Sequence, residues 1–379
     1  MSPCFAQGFG RDHRLVYRCK ERKVCYVKIV HIINSLETGG AETLVANLAL
    51  AAKEAGDECE IVTLRSAGGV PLRRAEKHGL KVTAIASSLW DPRIPVRLRS
   101  MTRDADVVHV HLFPALYWAT AIAKPLLFTE HSTSNRRMEN PAFRVAERFV
   151  YARYNGFFAI SDGVAASLSR YLEFLGLCKP VVTAPNGISS DFLTENGARA
   201  AGQRRIAFVG SLKEVKRVDL AIRAVARLKD ARLQIAGDGP LAASLVELSH
   251  DLGVASRVEF LGEVDDVKSV LLQNDVLLST SEFEGFSLVA AEAQATGVPV
   301  VGPDVAGFNE VVLDGETGVL FSDRTPEGIA RAVNEVLTLE AYPRFSANAV
   351  AHARKFSIEN SYLIQRKQYL ALVHESKKA

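Results

Sequence analysis

Glu284 and Glu292 stand with seven residues between them inside DVLLSTSEFEGFSLVAAEAQATG, residues 275–297. The run Asp275 to Leu278 reads as a buried strand. Polar Ser279, Thr280 and Ser281 follow, then an acidic turn, then a helix-forming run from Leu288 to Ala295 that stops at Gly297. Strand, polar turn and helix is the layout in which ligands meet the carboxyl ends of parallel strands. Glu284 falls in the turn, and Glu292 about one turn into the helix, within reach of the same cleft. Between them the backbone N–H groups of Phe286, Ser287 and Leu288 open the helix. They have no intrahelical acceptors and lie at the positive end of the helix dipole. Two carboxylates flanking an anion cradle suit a ligand with hydroxyls at both ends and phosphate in the middle, such as a nucleotide sugar.

Other residues could also do chemistry. Gly39-Gly40 separates the apolar run Val27–Ile33 from an apolar helical stretch, Thr43 to Ala55. A Gly-Gly turn lets backbone approach a ligand closely, but the spacing is not G-x-G-x-x-G, which disfavours a dinucleotide. His109 and His111 end a strand, and with period-two alternation they share a face. They are read as a metal pair lacking an evident third ligand, as buried structural histidines, or as a site with His111 at its carboxyl end. His131 ends another strand-like run.

The elements that must position these groups are legible. Apolar runs at 27–33, 60–64, 81–85, 107–111 and 126–129 alternate with helical stretches at 71–78, 93–103 and 115–123, which implies a parallel sheet covered by helices. The helical stretch Asn135–Tyr154 is expected to open at Pro141 and to bury Phe143, Ala146, Phe149 and Val150, leaving Arg144, Arg148 and Arg153 off that stripe. With Arg93, Arg97, Arg99 and Arg103 it makes two basic helices, read either as solvated faces or as a surface for anionic lipid. Residues 191–203 read as a linker. A second alternation opens at Ile206–Val209. Val298–Val301 is expected as a short strand with Pro299 near its start, and Phe356–His374 as a final amphipathic helix.

A length of 379 residues fits two domains, and 48% hydrophobic residues suffice for two cores. No apolar run is long enough to span a bilayer, and residues 1–23 carry charges without a signal-like apolar core. Cytoplasmic residence is the expectation. Five scattered cysteines without a C-x2-C pair argue against a disulfide framework or zinc site, and Cys25 and Cys59 read as buried thiols. The net charge of +3 is uneven: residues 1–190 carry 25 Lys+Arg against 17 Asp+Glu, and the remainder 21 against 26. A basic first half fits an anionic partner. Nucleic acid is not expected.

The run EGFSLVAAEAQATGVPVV resembles the E-x7-E signature of retaining GT-B-type glycosyltransferases of family 4. The strings TGGAE (38–42), VVHVHLF, TEHS and PNGI resemble further motifs of the same family, in order, and the likeness covers about residues 27–372. It implies an α/β fold with two Rossmann-like, doubly wound domains facing across a cleft. The expected segments are a disordered leader at 1–26, an acceptor-side domain at 27–188, a nucleotide-sugar domain at 189–355, and a helix at 356–379 returning to the first domain. The family pattern G-R-L-x-x-x-K-G-x-D matches Gly210 to Asp219, with Lys216 on the diphosphate. Ser211 stands where the arginine commonly is and Arg217 where the glycine is, so Arg217 is a candidate for the missing cation, with Lys213 a weaker one.

By the resemblance, Glu284, Lys216 and His111 carry the chemistry. The donor would meet Glu292, Gly285, Phe286, Ser287, Leu288, Ser211, Arg217, Gly40, Gly237, Asp238 and Leu261; Gly39 and His131 fall on the acceptor side. Gly307 to Glu310 and Asp314 to Gly318 resemble family turns. The expected reaction moves a sugar from a UDP or GDP sugar to a hydroxyl of a lipid-linked or envelope polysaccharide intermediate, without cofactor or metal, at the inner face of a membrane. No D-x-D pair beside a second-domain strand end argues for a metal. An epimerase and a non-catalytic nucleotide-sugar-binding protein are the alternatives.

Overall fold

The structure is a computed structural model that describes residues 26–66, 68–133, 143–193 and 202–376. The expected leader apart from Tyr26, the helix opening at Pro141 and most of the expected linker lie outside the described residues, as do Cys4, Cys19 and Cys25. The chain divides into two compact units. One comprises Met1–Ile160, Ser167–Gly187 and Ile358–Ala379; the other comprises Ser161–Ala166 and Ile188–Ser357.

The first unit is built on β1 (Lys28–Ile33), β2 (Glu58–Arg65), β3 (Lys81–Ala86), β4 (Val107–His111), β5 (Leu126–Glu130), β6 (Gly156–Ala159) and β7 (Val181–Thr183). They pair in the order β3-β2-β1-β4-β5-β6-β7, and every ladder is parallel. A parallel sheet covered on both faces needs strands that are apolar throughout, and all five residues of β4 are buried. Val30, Ile32, Val108 and Val110 fill one core with Leu116, Phe128 and Tyr154. The intervening His31, His109 and His111 therefore turn to the opposite face.

The helix Ile358–Ser376 belongs to this unit, and its buried stripe is half polar: Ile358, Ser361, Tyr362, Gln365, Tyr369 and Val373. Asp57, just before β2, explains part of that. Its buried carboxylate accepts from the Val27 amide at 2.8 Å, from the Tyr362 hydroxyl at 2.5 Å and from the Arg366 guanidinium at 2.5 and 3.1 Å. Burying a carboxylate is tolerable only with such partners.

The second unit uses β8 (Arg205–Val209), β9 (Arg232–Ala236), β10 (Val258–Gly262), β11 (Val276–Leu278), β12 (Val300–Pro303) and β13 (Gly318–Phe321), in the order β10-β9-β8-β11-β12-β13, again all parallel. The core joins Ile206 and Phe208 to Ala221 and Val225 on the helix Val218–Arg227 and to Ile329 and Val333 on Pro326–Val336. In both sheets the chain winds outward one way and then returns to the other side of its first strand. The switch points are β1/β4 and β8/β11, where the doubly wound α/β design places ligands.

Several expectations are corrected. In the helix Arg144–Ala152 the buried residues are Glu147 and Tyr151, while Val145 and Phe149 are 69% and 72% exposed and Phe143 and Ala146 are exposed too. Glu147 prevails because the Tyr117 hydroxyl donates to one of its oxygens at 2.8 Å and the Tyr171 hydroxyl to the other. Most of the arginines assigned to basic faces also hold carbonyl oxygens. Arg97 bonds Ile85, Arg99 bonds Ala121, Arg144 bonds Phe174, Arg148 bonds Leu175, and Arg153 bonds Ile122 and Lys124. The helix expected over 93–103 is shorter, Ile94–Met101. Pro299 precedes β12, and β13 was read only as a turn. Cys59 is half-buried. Among the described residues no helix is long and apolar enough to cross a membrane.

Asp57→Ala should remove about 3–5 kcal/mol from the first unit, because it leaves Arg366 without its carboxylate partner and exposes orphaned donors. Urea denaturation followed by tyrosine fluorescence measures this; a midpoint unchanged from wild type would show that the final helix is held by apolar contacts alone.

Candidate functional site

In the second unit, β11 ends at the switch point and runs into buried Ser279, Thr280 and Ser281. The turn then carries Glu282, Phe283, Glu284 and Gly285 before the helix Leu288–Ala295. That helix starts at Ser287 in extended backbone, with no side-chain capping bond. Phe286 is anchored edge-on to Phe356 at 5.3 Å. Glu292 is buried along the helix.

From β8 the chain passes Gly210, Ser211, Leu212 and Lys213 to a single turn, Glu214–Lys216. The two loops lie against each other. The Glu282 amide donates to the Val215 carbonyl at 2.8 Å, and the Thr280 hydroxyl reaches the carbonyls of Lys216 and Arg217 at 3.0 and 2.7 Å. Lys216 Nζ then meets Glu284 Oε1 at 2.7 Å, with the Glu284 side chain 12% exposed. Two of the residues assigned to the chemistry are thus brought into direct contact from positions 68 apart.

Glycines allow this closeness. A Cβ on Gly237, which has φ +142, would stand 1.9 Å from the Gly210 carbonyl oxygen, so the ends of β8 and β9 could not approach as they do. A Cβ on Gly307, with φ +83, would strike the carbonyls of Glu284 and Gly285 at 2.4 and 2.6 Å. Gly307 supports the Glu284 turn from behind, a role its place in a family-like turn did not disclose. The Asp238 carbonyl accepts from the Leu212 amide at 2.9 Å while Asp238 itself is exposed, and Leu261 is half-buried on β10. Ser211 is half-buried beside this turn.

Arg217 does not share Lys216's direction. Its backbone is left-handed, φ 46 and ψ 46, which turns its side chain away from that of its neighbour. The guanidinium forks onto Asp219 at 3.0 and 3.1 Å and bonds Glu282 at 3.1 Å. Those hydrogen bonds, that to Asp219 foremost, hold its pKa above the ordinary arginine value. The candidate second cation for a diphosphate is already engaged by two acids.

In the first unit, Gly39 precedes the helix Gly40–Glu54 in extended backbone, and Gly40 is its first residue. At the β1/β4 switch point lie four imidazoles. His31 Nδ1 is 3.1 Å from His111 Nε2, and His111 Nδ1 is 3.2 Å from His131 Nε2. His109 stacks at 4.2 Å on His111. The third histidine absent from the sequence reading is His31: its β1 position pairs in register with His109 on β4, so the two share a face. His31, His109 and His111 offer ligand atoms within 4.8 Å of one another.

Donor accounting sets the state of His109. Tyr369 donates its one hydroxyl proton to Gln365 Oε1 at 3.0 Å, so at 2.7 Å it accepts from His109 Nδ1–H. The Nε2 lone pair of neutral His109 then accepts from the Thr129 hydroxyl at 2.6 Å. A metal at this cluster would have to break the Thr129 bond to gain its third nitrogen. Burial holds all four imidazoles neutral: His31 is pushed down to about 3 and His131 to about 4, and His109 and His111 lie well below the ordinary value, with neighbouring imidazoles adding to burial.

Two doubly wound sheets, each gathering polar side chains at its own switch point, define the GT-B class of glycosyltransferase fold. The family glycosyl transferases group 1 matches residues 172–356, and glycosyltransferase family 4 matches residues 38–192. The chain belongs to these glycosyltransferases. It is similar to a D-inositol 3-phosphate glycosyltransferase of Mycobacterium tuberculosis, 36% identical over 194 residues that make up 46% of this chain and 40% of that one. The match thus spans less than half of the relative's length. Among solved structures, HepE of Anabaena in complex with UDP and glucose has a TM-score of 0.79 at 19% identity, covering 91% of this chain and 100% of that one. Sucrose-phosphate synthase of Thermosynechococcus elongatus has a TM-score of 0.74 at 18% identity, covering 92% and 99%.

The neutral histidines carry a pH signature. Free histidine titrates near 6.5. A group with its folded pKa held lower contributes stability above about pH 6.5 and loses it as the pH falls towards the folded value. The thermal midpoint should therefore drop between about pH 6.5 and 4, and His31→Asn should flatten the drop; a midpoint level across that window would contradict buried neutral imidazoles.

Proposed function

We propose that this chain transfers a sugar from a nucleoside-diphosphate sugar to a hydroxyl acceptor with retention at the anomeric carbon. The observation that carries the reading is the Lys216–Glu284 pair at the β8/β11 switch point, beside an uncapped helix start. A donor would exchange that pair for two better-matched partners. Its diphosphate takes Lys216 and the amides of Phe286, Ser287 and Leu288, while hydroxyls of the transferred sugar take Glu284. Glu292 accepts from the ribose hydroxyls. As the bond to the leaving diphosphate breaks, positive charge grows at the anomeric carbon and negative charge on the phosphate. Fixed donors that are already in place stabilise the latter. Catalysis is then mainly positioning and preorganised electrostatics, and it needs no metal.

On the acceptor side, His111 and His131 are the residues we assign, together with Gly39. His111 is neutral and bonded on both nitrogens, so a hydroxyl acceptor would have to take the place of His31 or His131 at one of them. UDP and GDP sugars are the donors in view; the likeness to HepE, solved with UDP, puts UDP first.

Lys216→Ala should lower turnover by about 10²–10³ while the circular dichroism spectrum and thermal midpoint stay near wild type. A radiolabelled-donor assay with and without EDTA measures both claims. Near-normal rates for the variant would reject the lysine's role, and complete loss with chelator would reject metal independence.

The acceptor is proposed to be lipid-linked and the first unit to rest peripherally on an anionic membrane. What supports this is the outward face of Arg144–Ala152, where Val145 and Phe149 are exposed next to Arg144 and Arg148. Apolar side chains rimmed by arginine suit the headgroup boundary. The protein should float with phosphatidylglycerol vesicles and not with phosphatidylcholine ones, and Phe149→Ser should release it; equal flotation with both, or none, would remove the membrane from this account.

A further inference from the structure

Lys216 and Arg217 are adjacent cations that face opposite ways. The left-handed backbone at Arg217 is a conformation that favours glycine, and glycine is what the resemblance has there. Lys216 points inward, its Cε 4.0 Å from where a Cβ on Gly210 would stand, and meets Glu284. Arg217 points to a groove it lines with Glu214, Asp219, Leu241 and Leu245, and meets Glu282 and Asp219. Glu282 and Glu284 are themselves two apart on the opposing loop. The loops 213–217 and 280–284 are therefore joined by two ion pairs, an inner one through Lys216–Glu284 and an outer one through Arg217–Glu282.

The two pairs differ in what they can do. The inner pair is made of the groups the donor would claim, so it must open when the donor enters. The outer pair touches neither. We propose that Arg217 is a positioning residue: its bond to Glu282, braced by the fork to Asp219, keeps the two loops in register once Lys216 and Glu284 have parted. A glycine at 217 would adopt the same backbone without strain but would leave the loops joined, after opening, only by the Thr280 hydroxyl and the Glu282 amide. The arginine thus holds a strained conformation in return for a connection that survives ligand entry. This rests on the donor reading only for what opens the inner pair.

Hydrogen exchange of the Glu282 amide, which donates to Val215, reports on the register directly. Glu284→Gln takes the charge out of the inner pair without any ligand and Arg217→Gly removes the outer one. Each alone should speed exchange by no more than about threefold, and the double variant by more than about thirtyfold, the non-additivity expected of redundant connections. Arg217→Lys, which restores a cation for Glu282 without the fork, should recover part of the protection in the Glu284→Gln background. Saturating UDP should make Arg217→Gly exchange like the double variant while wild type stays protected, a response that a residue needed only for folding would not give. The proposal is overturned if Arg217→Gly is already as fast as the double variant, or if it adds nothing to Glu284→Gln. If UDP binds neither wild type nor variant, the donor reading falls, and the ligand-free comparison still decides the role of Arg217.

Discussion

A half-buried contact between unlike charges governs the second unit's switch point. Lys216 comes from a loop after β8 and Glu284 from a loop after β11, and neither loop is long enough to wander. Each group makes the other tolerable in a half-buried place, since an ion there without a partner would be costly. The glycines at 237 and 307 let the backbone around the two loops close as tightly as it does. A site arranged in this way is assembled before any ligand arrives, and a ligand that claims both partners separately meets groups already aimed at it. Such prior ordering is the general means by which binding free energy is not lost to reorganisation.

The first unit solves a different problem with a different chemistry. Strands β1 and β4 and the end of β5 bring imidazoles to one face of a sheet whose other face packs against a larger apolar core. They stay uncharged because burial disfavours the protonated ring, and they satisfy most of their nitrogens through each other, Thr129 and Tyr369. His31 Nε2 alone stays buried without a partner. A polar layer of this kind specifies which helix covers the face: Tyr369 fits His109 only when the final helix sits in one register.

Much of this was legible in the chain. The alternation of apolar runs with helical stretches was enough to read parallel sheets covered by helices, because strands buried on both faces show as unbroken apolar runs such as VVHVH, while the doubly wound order came from the family resemblance. Lys216 and Glu284, singled out separately, prove to touch. Other features were not legible, for physical reasons. The helix Arg144–Ala152 looked like an ordinary apolar stripe, and only tyrosines 30 and 24 residues away could reveal that Glu147 is the buried residue. His31 passed as one polar residue in a strand, since its neighbour His109 is set by the order of strands in the sheet. The direction of Arg217 depends on one backbone angle, which side-chain type alone does not report.

The Asp57 cluster has a bearing on how the protein is made. Its carboxylate lies near the start of the described chain, and its partners Tyr362 and Arg366 lie 305 and 309 residues later. A ribosome emits these in sequence, so the Asp57 carboxylate meets Tyr362 and Arg366 only after the whole of the second unit has emerged. The second unit, nearly continuous from Ile188 to Ser357, is complete in sequence before that helix begins. Translation thus delivers the middle of the molecule complete while the part begun first still waits for its closing helix.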